Sequence, residues 1–137
     1  MIAAGAVVIA RTTGRTLFAL RSNDVSKGGV WAFFGGKVES GEKPSEAALR
    51  ELAEESGYDG PVERVTPLLT FKNRLITFHN NLVIVPHEFK TRLNWENTDS
   101  RWAKRFPQPL HPGVVALLAD KQSVKTIRSA LTRMGVS

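Results

Sequence analysis

Three glutamates, Glu51, Glu54 and Glu55, stand at spacings i, i+3 and i+4 inside SEAALRELAEE, a segment made almost wholly of strong helix formers. A helix turns about 100° per residue, so the three carboxylates share an arc of roughly 100°. Like charges one turn apart cost a helix roughly 0.2–0.5 kcal/mol, a cost that a bound cation removes. Hard oxygen ligands on one face suit Mg²⁺ or Mn²⁺, which keep some waters and also bind phosphates. Taken alone, ExxEE reads more simply as a solvated acidic face. Ala48, Leu49 and Leu52 fall in another arc and would dock the helix on a sheet. Ala47 falls on the acidic side, where its small side chain leaves room for a ligand.

The surrounding frame argues against the simple reading. Gly36 is followed after five residues by Glu42, and after seven more by Arg50-Glu51-Leu52-Ala53-Glu54-Glu55-Ser56-Gly57-Tyr58. The segment GKVESGEKPSEAALRELAEESGY resembles the Nudix box, GX5EX7REUXEEXGU with U a bulky apolar residue, and matches it at every fixed position. Tyr58 is the one loose match, aromatic where an aliphatic is usual. Upstream, WAFFGGKVESGE resembles the family's W-x-F-P-G-G-K entry, with Phe34 in place of the common proline, which predicts a less rigid loop. Downstream, Arg92–Gly113, RLNWENTDSRWAKRFPQPLHPG, resembles the late glutamate, tryptophan and Leu-His-Pro-Gly elements of nucleotide-hydrolysing members.

The resemblance implies an α/β (α+β) Nudix fold, a mixed β-sheet sandwiched between helices, as one domain over residues 1–137 with the box at 36–58. It implies an enzyme that cleaves the diphosphate linkage of a nucleoside diphosphate joined to a group X, using Mg²⁺ or Mn²⁺ and a water nucleophile. Glu51, Glu54 and Glu55 would ligate metal, joined by the carbonyl of Gly35. Arg50 would orient the glutamates by ion pairing, and Glu42 would organise the box loop. Glu96 is a candidate for a further ligand or the general base, and equally an ordinary loop carboxylate; Glu51 or Glu55 are alternative bases. Phe33 and Phe78 are candidates for stacking on a nucleobase, with core packing favoured for Phe78. Arg21 and Lys37 are candidates for meeting the substrate, and Arg21 reads as well as a free surface cation. His79, His87 and His111 have no metal-binding spacing, and His111 reads as a loop-fixing residue.

The sub-family elements associated with ADP-ribose, dinucleoside polyphosphates and coenzyme A are missing. That leaves nucleoside triphosphates or sugar nucleotides as the expected substrates. Two other readings stand behind this one: an idle Nudix module that holds a nucleotide or RNA end, and nucleic-acid binding through Lys121, Lys125 and Arg128, which no RNA-binding motif accompanies.

The elements that must position these residues follow from periodicity. Ala6–Ala10 and Leu17–Leu20 read as strands joined by a glycine-bearing turn, and Val30–Phe34 as another. Pro44 and Gly57 mark the start and the end of a helix. Val62–Phe71, Leu75–Val85 and His87–Leu93 read as extended, and Asn97–Pro112 as loop-rich. Val114–Ala119 predicts a short helix. Ser123–Met134 predicts a longer one, with Val124, Ile127, Leu131 and Met134 on one face.

At 137 residues, 42% hydrophobic and 23% charged, the chain has the composition of one globular domain. It has no apolar run of the roughly 18 residues that a membrane span needs. The apolar stretch Met1–Ala10 lacks a basic leader and reads as a strand rather than an export signal. The absence of cysteine excludes disulfides and thiol chemistry and suits a cytoplasmic, reducing location. Composition leaves monomer and homodimer open. The net charge of +6 is uneven: residues 1–100 hold 12 basic and 12 acidic residues, and residues 101–137 hold seven basic ones against Asp120. That excess reads as the wet face of a terminal helix, while the box itself, with six glutamates against Lys37, Lys43 and Arg50, is locally negative.

Overall fold

The computed structural model describes residues 1–136, and among them seven strands and three helices follow in chain order. Strand β1 (Ile2–Ala10) carries IAAGAVVIA, an apolar run without alternation, as a strand covered on both faces requires. It is the centre of the sheet. Strand β6 (Thr77–Val85) runs parallel to it, from Ile2 opposite Thr77 to Ala10 opposite Val85. Along the other edge, β4 (Phe34–Lys37) pairs antiparallel with Ala3–Ala6, and β2 (Thr16–Arg21) takes over at Ile9. Strand β5 (Arg64–Lys72) lies antiparallel to β6, and β3 (Trp31–Ala32) and β7 (Asn97–Ala103) both pair with β2.

The period of two in β1 sorts its side chains between two cores. Ala4, Ala6, Val8 and Ala10 pack against Ala47, Ala48 and Leu52 of helix α1 (Pro44–Ser56). Val7 and Ile9, with Leu82 and Ile84, pack against Leu117 of α2 (Pro112–Ala119) and Ala130 of α3 (Lys121–Arg133). Each fully buried leucine, such as Leu52 or Leu82, contributes about 1.5–3 kcal/mol. The mixed sheet between helices that the sequence predicts is therefore the architecture found. Helix α1 has the predicted ends: Pro44 opens it, and Gly57 closes it at φ 75° with its N–H on the carbonyl of Ala53.

Four expectations change. His87–Leu93 is not a strand; its Phe89 ring lies 4.3 Å from Tyr58 and 5.3 Å from Trp102, and Arg92 donates its N–H to the carbonyl of Ser56 at 2.7 Å. Its apolar residues cover the end of α1 rather than join a ladder. Conversely β7 falls in the stretch read as loop-rich, where a polar sequence, NTDSRWA, is held by its pairing with β2. Phe34 does not loosen the chain: it is a residue of β4, opposite Ala6, and sits in the core. Val124 leaves the apolar face of α3, which Ile127, Ala130, Leu131 and Met134 supply instead.

One irregularity bears on the site. The register of β5 against β6 shifts between Pro67 and Thr70, so that Leu68 and Leu69 stand opposite Asn80. The N–H of Leu69 donates to Ser123 Oγ at 2.8 Å, and its carbonyl accepts from Asn80 Nδ2 at 2.9 Å. Ser123 belongs to the first turn of α3, whose cap, Asp120, accepts its N–H at 3.0 Å.

Candidate functional site

Ala47, Glu51 and Glu55 follow at i, i+4 and i+8 and so form one stripe along α1. The stripe faces inward. Ala47 is fully buried in the core, which corrects its expected place beside a ligand: it lets α1 sit close to the sheet. Glu55 is only 5% exposed, and its carboxylate accepts the N–H of Gly35 at 2.9 Å. Burial, and then the charge of Glu96, push the Glu55 carboxyl up to about 8, while the Gly35 N–H pulls the other way. Burial also raises Glu51, against the hydrogen bond from Arg50 and with the repulsion of Glu54 and Glu96.

Glu96 is brought up from outside the helix. It precedes β7, and its carbonyl accepts the N–H of Ser22 at 2.9 Å, just past β2. Its charge raises the carboxyls of both Glu51 and Glu55.

Gly36 explains how β4 approaches them. A Cβ built there would lie 2.4 Å from Glu51 Cδ, so the carboxylate occupies the space a side chain would take. Arg50 then ties the loop to the helix. It grips Glu42 with Nε and Nη2 at 2.8 and 3.0 Å, and gives Nη1 to Glu51 at 2.9 Å and to Glu54 at 3.3 Å. Its Nη2 also reaches the carbonyl of Lys37 at 2.8 Å. Arg50 and the N–H of Glu39 hold the Glu42 carboxyl down at about 2. Glu54 is exposed and leans on Arg50, and among the described residues no three acidic or imidazole groups form a ready-made metal cage.

On the α2 side of the sheet lies a cleft of about 480 Å³ that reaches Gly35. Phe33, Phe78, Ile76 and Val114 give it apolar walls, and Arg21, Lys27 and His111 line it with cations or donors. Arg21 gives Nε and Nη2 to the carbonyl of Ser26 at 3.1 and 2.8 Å. Phe33 also stacks on Phe18, with centroids 5.3 Å apart, and packs on the second core. Phe78 is the reverse of its expected core residue: half-buried, it lies over Gly5 and lines the cleft. Lys37 is exposed at the end of β4 and is no part of that lining; its contribution is the carbonyl that holds Arg50.

His111 accepts the N–H of Gly113 on Nδ1 at 2.9 Å, which fixes the loop as expected and leaves the proton of the neutral ring on Nε2. Burial and the charges of Arg21 and Lys27 lower its pKa. Asn80, 8% exposed, also lines the cleft and was not among the sequence candidates. Its signal was available: Asn80-Asn81 directly precedes the apolar run Leu82–Val85 within one strand. The basic residues Lys121, Lys125 and Arg128 line a separate shallow groove of about 570 Å³ along α3. Among the described residues no helix is long and apolar enough to cross a membrane.

The NUDIX domain family model matches residues 1–107. Over 62 residues the chain is 42% identical to the CTP pyrophosphohydrolase of Escherichia coli (strain K12), covering 45% of each. Over 58 residues it is 47% identical to the 8-oxo-dGTP diphosphatase of Proteus vulgaris, covering 42% of this chain and 50% of that one. The chain thus spans about half the length of the curated relatives it matches. The crystal structure of a Nudix hydrolase from M. smegmatis, RenU, superposes with a TM-score of 0.74 over 94% of this chain and 86% of that one, at 23% identity, a likeness of fold. With the domain matched over most of its length and the box residues gathered as described, the chain belongs to the NUDIX family.

Proposed function

We propose that this chain is a divalent-metal-dependent pyrophosphohydrolase that cleaves the diphosphate linkage of a nucleotide, a nucleoside triphosphate or a sugar nucleotide. One observation carries the reading: Glu55 accepts the N–H of Gly35 and Glu51 fills the space over Gly36, where a cleft with aromatic walls and basic lining residues reaches Gly35. The matched relatives named as nucleotide pyrophosphohydrolase and diphosphatase support it.

The donor set fits a hard cation. Glu55 is buried and repelled by Glu96 and Glu51, and such carboxylate oxygens beside a glycine backbone are hard ligands in want of positive charge. Glu51, Glu54, Glu55 and the carbonyl of Gly35 would hold Mg²⁺ or Mn²⁺, which supplies neutralisation of the phosphates and activation of water. The protein's own groups do the rest. Arg50 fixes Glu51 and the box loop, Arg21 meets phosphate oxygens, Lys37 stands at the open end of β4 as a further cation, and Phe33 and Phe78 hold the base. Water oxygen attacks phosphorus, the bridging P–O bond breaks, and the water proton passes to a Glu96 carboxylate oxygen. A cytoplasmic site of action fits a chain without cysteine.

The test is a panel of nucleoside triphosphates and sugar nucleotides with and without Mg²⁺ or Mn²⁺, with the products identified. Metal-dependent release of a nucleoside monophosphate is expected. Binding without turnover across the panel would instead mark an idle nucleotide-binding module.

A further inference from the structure

We propose that Asn80 reads the base, and that the cleft selects nucleotides whose base carries an amino group on the edge far from the sugar, cytosine or adenine, over those with a carbonyl there. The inference rests on the reading above for where the phosphates lie.

The orientation of the Asn80 amide is fixed by a neighbour. The carbonyl of Leu69 can only accept, and the Asn80 side chain lies 2.9 Å from it, so the amide nitrogen faces Leu69. The oxygen of the same amide accepts no hydrogen bond among the described residues, and Asn80 lines the cleft. The β5 bulge makes this possible, because it leaves the Leu69 carbonyl free of the ladder to hold the nitrogen. The wall around it is apolar, with Phe33, Phe78 and Val114. A fixed acceptor on an apolar wall demands an N–H from its ligand.

Register supplies the ruler. Gly5 of β1 lies opposite Gly35 of β4 on one side and opposite Asn80 of β6 on the other. Asn80 is therefore two strand spacings, about 10 Å, from Gly35. Gly35 is bound to Glu55 and marks the phosphate end. What reaches Asn80 is then the far edge of the base. Cytosine and adenine place an amino group there. Uracil, thymine and guanine place a carbonyl, whose lone pairs would meet those of the Asn80 oxygen and leave it unpaired.

Equilibrium binding of matched nucleoside monophosphates by calorimetry, without metal, isolates this edge from hydrolysis. CMP and UMP form one amino/carbonyl pair, and AMP and IMP another. The wild-type protein should bind CMP about tenfold or more tightly than UMP, and AMP above IMP in the same sense. Asn80→Leu should bring both ratios close to one. Asn80→Asp, which keeps an acceptor and loses the contact to Leu69, should keep the order. Equal binding of each pair by the wild type, tighter binding of the carbonyl member, or unchanged ratios in Asn80→Leu would overturn the proposal. Hydrolysis of the nucleotide panel with no preference between the members of each pair would overturn it while leaving the pyrophosphohydrolase reading standing. Ordered binding without hydrolysis would do the opposite.

Discussion

Arg50 holds Glu42 through two parallel hydrogen bonds, Nε to Oε2 at 2.8 Å and Nη2 to Oε1 at 3.0 Å, across eight residues of chain. This fork ties the loop before α1 to the helix, and the same guanidinium sets the Glu51 carboxylate. A lysine could supply the charge but not the fork. The Glu42 carboxyl is held at about 2, below its unfolded value of 4.5, first by Arg50 and then by the N–H of Glu39. A depressed carboxyl stabilises the fold above its unfolded pKa and loses that contribution as pH falls toward its folded one. Thermal melts of the wild type should therefore show an added loss between about pH 4.5 and about pH 2 that Glu42→Gln lacks. Superimposable acid profiles for the two proteins would remove Glu42 from that role.

Gly36→Ala should harm activity more than stability. The three atoms nearest its new methyl all belong to the Glu51 carboxylate, with Cδ at 2.4 Å, the far end of a flexible side chain that can swing aside. If Glu51 holds metal, disturbing its orientation should cost about 10–100-fold in metal affinity, visible as a raised Mg²⁺ requirement. Gly35→Ala is the contrast: its Cβ would lie 2.6 Å from the backbone oxygen of Ala4, which cannot swing, and about 1–3 kcal/mol of stability should go with it.

Glu54→Gln and Glu55→Gln should each lower kcat by roughly a hundredfold or more with Mg²⁺ saturating, if both carboxylates hold metal. Glu54 is exposed, so its variant should melt where the wild type does. A kcat near wild type for Glu54→Gln would show that its contact with Arg50 is all it contributes.

The two cleft phenylalanines should separate binding from folding. Phe78→Ala removes a half-buried wall and should raise KM about tenfold with little change in melting temperature. Phe33→Ala also breaks a stack on the buried Phe18 and should cost about 2 kcal/mol of stability. Equal melting temperatures for the two variants would contradict this division.

What could be read from the sequence was local. Helix α1 announced itself through Pro44, its run of helix formers and Gly57, and the reach of Arg50 to Glu54 follows from one helical turn. What could not be read depended on partners distant in the chain. Nothing in NTDSRWA says strand; its pairing with β2 makes β7 one. Ala47 looked like space beside the glutamates because a helix wheel shows an arc and not how close the sheet comes. Phe34 looked like a lost proline until Ala6 stood opposite it. Asn80 was passed over because a strand residue acquires its role from the neighbour that holds it, here a carbonyl freed by a bulge eleven positions earlier in the chain.

Leu69 is shared between two parts of the molecule that have no sequence in common. Ser123, at the head of α3, holds its nitrogen, and Asn80, on the cleft wall, holds its oxygen. The terminal helix lies beyond residues 1–107, where the family's domain is matched. It nonetheless anchors the residue that keeps the Asn80 amide from rotating. Were α3 to detach, Leu69 would lose the Ser123 anchor and the Asn80 amide its fixed partner. The last helix thus reaches the cleft wall through one backbone unit as well as covering the sheet with Ala130, Ile127 and Leu131.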